Sequence, residues 1–231
     1  MVSCDGGYAS VRTCTTENSK LFYFFRLREV VPREAYLTAL KAVSPRDWEA
    51  IFGGFGVYLL GLREIGVHDI DIATDTPRCI GRCVEQEDGI AVSEVDKIAV
   101  KMYAWNRTLL EREDSVPVEL PFGQVRAASI ESAIAWWIQR TLNFLTSPNK
   151  GEELRAYKSL AELAYMWLAS SKDVDKVARY IHKYSAKVEG YSRFPQAAQG
   201  MLDGACFLFY DHFGSSVGAC KDAIREIAGL F

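Results

Sequence analysis

The chain has 231 residues, 49% of them apolar and 25% charged, with a formal net charge of −3. It is long enough to bury a sizeable core as one large domain or one domain with a helical extension, and its balance of charge and hydropathy excludes both a disordered chain and a general cationic hold on nucleic acid. No stretch approaches the roughly 18 apolar residues of a membrane helix, and Leu21-Phe22-Tyr23-Phe24-Phe25 is too short for a signal-peptide core, so a cytoplasmic protein with no membrane contact is expected.

Residues 1 to 31 are polar and Gly-rich at first, then aromatic up to Arg26, Arg28 and Glu29, a stretch compatible with an early strand. Pro32 and Glu34 open a helix whose apolar side is Tyr36, Leu37, Leu40 and Val43, and Ser44-Pro45 stops it. Trp48 to Phe52 reads as a short strand, Gly53-Gly54 as a tight turn, and Phe55 to Leu62 as a short helix. After Gly66, Val67-His68-Asp69-Ile70-Asp71-Ile72 alternates with period two. That alternation puts Val67, Asp69 and Asp71 on one face of a strand and His68, Ile70 and Ile72 on the other.

From about Gly89 to Ser129 the pattern stays strand-like, with Ile98 to Trp105 and Val116 to Leu120 as strands and Pro121-Phe122-Gly123 turning into Gln124 to Ala128. Beyond Ser129, a suitable N-cap, every apolar stripe has helical spacing. Ile130, Ala133, Ile134, Trp137, Ile138 and Leu142 form the first, broken at Pro148-Asn149-Lys150-Gly151. Leu154 to Leu168, Val174 to Val188, Gln196 to His212 and Val217 to Leu230 follow. An α+β protein is therefore expected, with a mixed α/β domain over residues 1 to 145 and an all-helical part over 146 to 231.

Two carboxylates two residues apart on a strand stand about 6 to 7 Å apart. At an effective dielectric near 20 their repulsion is about 2 to 3 kcal/mol. A pair aimed at one cavity therefore calls for a divalent cation, and oxygen-only ligands suit Mg2+ or Mn2+, which in turn bind nucleotide phosphates. Gly53 and Gly54, lacking Cβ at a strand-to-helix turn, allow backbone N–H groups to approach an anion closely. In-line phosphoryl or nucleotidyl transfer is the chemistry such parts serve best.

The stretch Phe52-Gly53-Gly54-Phe55-Gly56-Val57-Tyr58-Leu59-Leu60-Gly61, followed by His68-Asp69-Ile70-Asp71-Ile72, resembles the nucleotidyltransferase superfamily, especially its small prokaryotic members related to toxin–antitoxin nucleotidyltransferases. The similarity covers roughly residues 33 to 145 and its specific motif only 52 to 72. The resemblance implies a mixed sheet, a glycine turn that touches the phosphates, Asp69 and Asp71 as metal ligands, and a third carboxylate on a later strand. It also implies a nucleoside triphosphate as substrate and an RNA, protein or small-molecule hydroxyl as acceptor.

Several features depart from the pattern. Fourteen residues separate Gly54 from Asp69, Ile65-Gly66-Val67 stands where many relatives have Arg-x-Thr, and the third acid is not obvious. Glu119 and Asp96 are the candidates, while the strand from Ile98 offers Lys101 and Met102 where an acid is expected. The same departures describe a catalytically degenerate relative that binds or regulates. In that reading the C-terminal helices mediate homo- or hetero-oligomeric assembly, as in half of a toxin–antitoxin-like pair.

Six cysteines, at positions 4, 14, 79, 83, 206 and 220, fall by proximity into three local pairs, with free buried thiols an equal alternative. Cys79 and Cys83 have the wrong spacing for a redox or zinc motif. Asp75 reads as a cap of the loop before Pro77, and His68, His182 and His212 carry no chemistry. Trp136, Trp137, Tyr165 and Trp167 read as helix packing, and Arg179, Lys183 and Lys187 as a solvated basic stripe that could also meet RNA or an acidic partner.

Overall fold

The computed structural model describes residues 33–62, 69–146 and 152–231, all within the unit Val31–Phe231. The early aromatic stretch, Cys4 and Cys14, Val67 and His68, Ile65-Gly66, and the break at Pro148-Asn149-Lys150-Gly151 lie outside the described residues.

Helix α1 (Arg33–Val43) buries Tyr36, Ala39, Leu40 and Val43 and stops at Ser44, whose φ of 49° cannot continue a right-handed helix. Strand β1 (Ala50–Phe52), wholly buried, runs straight into the short helix α2 (Gly53–Leu59). The remaining strands are β2 (Asp69–Thr74), β3 (Arg82–Glu87), β4 (Ile90–Val95), β5 (Ile98–Ala104), β6 (Ser115–Leu120) and β7 (Gly123–Ala128). They form a seven-stranded mixed sheet in the order β3-β4-β5-β2-β1-β7-β6. Strand β2 lies near its middle, antiparallel to β1 and parallel to β5.

The alternation read from the sequence decides what each face of β2 does. Ile70 and Ile72 are fully buried with Leu40, Ile51, Val100 and Met102, each contributing about 1.5–3 kcal/mol by leaving water. On the other face Phe52, Ala73, Leu110 and Ala128 pack with Tyr103, Trp105 and Trp136. A slip of one residue would turn the isoleucines onto the carboxylate face, so this register is strongly specified.

The helices follow as the stripes indicate: α3 (Ile130–Thr146), α4 (Glu152–Ala169), α5 (Val174–Lys187), α6 (Phe194–Phe213) and α7 (Val217–Ala228). Ser129 caps α3 by accepting from the Ser132 N–H at 3.4 Å. Trp137 and Trp167 are buried, as packing residues should be, and Trp167 Nε1 donates to Glu226 Oε2 at 2.7 Å. Helices α4 and α6 meet closely at Gly204, where a Cβ would lie 2.7 Å from the Tyr157 ring. The protein is thus α+β, a mixed sheet followed by an all-helical part. Among the described residues no helix is long and apolar enough to cross a membrane.

Two of the three local cysteine pairs are disulfides, Cys79–Cys83 and Cys206–Cys220, and no described cysteine is free. The basic stripe of α5 is engaged rather than purely solvated: Lys183 pairs with Glu111, and Lys187 lies 4.0 Å from it. Asp75 pairs with Arg112.

Candidate active site

Asp69 and Asp71 emerge from β2 on the same face and are partly exposed. In the register of the sheet Phe52 stands opposite Asp71 on one side and Lys101 opposite it on the other. The chain therefore delivers Gly53, the residue after Phe52, directly to Asp71. Gly53 has φ +65°, and a Cβ there would lie 2.6 Å from Asp71 Oδ2. Glycine is required at this point twice over, by conformation and by the space the carboxylate occupies. Gly54 follows it, buried in the first turn of α2.

Lys101 projects from β5 and donates from Nζ to Asp69 Oδ2 at 2.5 Å. Burial alone would lower its pKa, but that bond and the charges of Asp69 and Asp71 outweigh it and hold the ammonium above its ordinary range. Asp71 moves the other way. Burial, and then the Asp69 charge, push it up to about 7 against the pull of Lys101 and Arg140. A further cation beside Asp71 would favour its ionised form. Two residues along β5, Tyr103 is raised to about 12 by burial and by Asp71, and stays neutral.

Helix α3 closes this face. Trp136 meets Phe52 edge-on at 5.9 Å, and the Arg140 guanidinium lies 4.7 Å from the Trp137 ring centroid and 5.8 Å from that of Trp136. Arg140 thus adds a second positive charge near Asp71, held by stacking on two indoles.

Neither candidate third acid reaches the pair. Glu119 lies on the edge strand β6, three places from β2 and so about 14 Å away at ordinary strand spacing. There it accepts from Gln124 Nε2 at 2.5 Å. Asp96 forms the turn between β4 and β5 with φ 50°, a conformation Asp tolerates better than most residues, and is exposed. It lies in that turn, three residues before Ala99, the residue level with Asp69, and does not converge with the pair. The position on β5 that faces the pair is held by Lys101.

The donor set can be tested against the cation that the carboxylates suggest. Among the described residues no group of three or more His, Cys, Asp and Glu converges. A cage made by protein alone is therefore not formed. Mg2+ commonly uses one or two carboxylates and takes its remaining oxygens from phosphates and water. Asp69 and Asp71 offer the two carboxylates that such a cation can use.

No family model and no curated protein matches the chain. Among solved structures it is similar to a protein from H. pylori described as "putative nucleotidyltransferase", with 11% identity and a TM-score of 0.46 over 85% of this chain and 90% of that one.

The sequence pointed to Gly53, Gly54, Asp69 and Asp71, which the fold brings together. It did not point to Arg140 or Tyr103, and it marked Lys101 only as an irregularity. The signal that could have found them is the register of β5 against β2 and the helical step from Trp136 to Arg140.

Proposed function

We propose that this chain binds a nucleoside triphosphate at Gly53, Asp69 and Asp71 and, with a divalent cation, transfers its nucleotidyl group to an acceptor hydroxyl. The observation that carries this reading is the Asp71 carboxylate, set on a central strand beside Asp69 and against a glycine with no room for a side chain. Asp69 and Asp71 would hold Mg2+ or Mn2+, which supplies charge neutralisation of the phosphates and polarisation of the α-phosphorus. Gly53 and Gly54 leave the backbone open to the phosphates. Lys101 and Arg140 add positive charge where negative charge gathers as the hydroxyl oxygen bonds to phosphorus and pyrophosphate leaves. The acceptor proton passes to solvent in this scheme, because Tyr103 is held neutral and neither Glu119 nor Asp96 is at hand.

One observation favours a second reading. Lys101 stands where a third acid is called for, which suits a degenerate site retained for binding or regulation, with the C-terminal helices available for assembly as in a toxin–antitoxin-like pair. Calorimetric titration of ATP, GTP, CTP and UTP, with and without Mg2+, separates the two when paired with a transfer assay using α-labelled nucleotide. The transferase reading predicts Mg2+-dependent binding that Asp69→Ala/Asp71→Ala reduces at least a hundredfold, together with label transfer. Binding without transfer to RNA or protein acceptors supports the second reading, and binding untouched by the double substitution overturns both.

A further inference from the structure

Among the described residues Lys101 is the one lysine placed in register beside the carboxylate pair, and its ammonium already touches one member of it. Side-chain exposures of 32% for Lys101 and 28% for Asp69 leave this part-buried ion pair within reach of a ligand arriving from solvent. Arg140, the other nearby cation, is laid across two indole rings and has less freedom to move.

Charge counting then gives Lys101 a second task. A divalent cation held by Asp69 and Asp71 cancels both carboxylates and leaves the ammonium of Lys101 as uncompensated positive charge. The groups nearest to hand that can balance it are the phosphate oxygens that came with the cation. A lysine suits this role because a compact charge with three donors on a four-carbon stem can follow a phosphate over several ångströms.

We propose that Lys101 exchanges partners on ligand binding: it neutralises Asp69 in the free chain and moves to a phosphate oxygen when a polyphosphate delivers its divalent cation to Asp69 and Asp71. This rests on the site reading above, and it makes Lys101 a substrate-contacting residue where an acid was expected.

The test is titration calorimetry of wild type, Lys101→Met and Lys101→Arg with two probes, Mn2+ alone and inorganic tripolyphosphate with Mg2+, which needs no knowledge of the base. Lys101→Met is expected to bind Mn2+ at least fivefold more tightly, having lost the competing ammonium. It should bind magnesium tripolyphosphate at least tenfold more weakly, and Lys101→Arg should restore most of that loss. Tighter binding of both probes by Lys101→Met would show a mere counterion, and either shift without the other overturns the exchange. Should Lys101→Met fail to fold, Lys101→Gln serves the same comparison. Failure of wild type and variants alike to bind either probe overturns the site reading itself, whereas wild-type binding with unchanged variants overturns this inference alone.

Discussion

Glu49, wholly buried just before β1, shows how one carboxylate can leave a pH signature on the whole chain. Burial pushes its pKa up, but the Arg78 guanidinium, the Arg46 N–H at 2.9 Å and the Thr74 hydroxyl at 2.8 Å outweigh burial and hold it below its ordinary 4.5. A carboxylate depressed in the folded state stabilises the fold above its unfolded pKa, and that stability is lost as pH falls through the folded value. Urea unfolding followed from pH 6 to pH 3 should therefore show an acid limb that flattens in Glu49→Gln, at a cost of about 3 kcal/mol at pH 6 because Arg78 loses its partner. At Gly53, replacement by Ala combines left-handed strain with the intrusion on Asp71. It should lower stability by about 1–3 kcal/mol in the same assay and weaken magnesium tripolyphosphate binding. The contrast with the site's other residues shows what a sequence can carry. Asp69, Asp71 and Gly53 were legible because alternation and a missing side chain are local properties. Lys101 and Arg140 were not, because their contacts with the pair depend on strand register and on which helix covers the sheet.

Elements with strong periodicity were the most legible. The five C-terminal helices and the strands β2, β5, β6 and β7 follow their apolar spacing to within a few residues. Strand β3 was missed for a physical reason: every residue from Arg82 to Glu87 is exposed, so no apolar face marks it, and the strand exists by pairing with β4. The disulfides lie at the same level of organisation. Cys206–Cys220 ties α6 to α7 across a separation of 14 residues with both cysteines buried. Closing a loop of that length contributes about 3 kcal/mol in the chain-entropy account. Cys206→Ala/Cys220→Ala is expected to lower the urea-derived stability by that amount while leaving tripolyphosphate binding unchanged, since both positions lie on helices apart from β2. An unaltered midpoint would mean that packing between α6 and α7 already restricts the unfolded chain.

At the scale of the molecule, the sheet order was beyond reach of the sequence, and with it the fate of Glu119 and Asp96. Alternation says that a segment is a strand; it does not say which neighbours it takes. Among the described residues the two parallel pairings, β2 with β5 and β1 with β7, join segments far apart in the chain, Ile51 facing Ala127 in the second. That feature sets a timetable for synthesis. Strand β1 leaves the ribosome well before its partner β7, and at 5–20 residues per second the wait is about 4–15 s. During that interval the buried edge of β1 stands open to chaperones and to other nascent chains. The carboxylate strand, though made early, acquires its final walls only when β7 and then α3 have emerged.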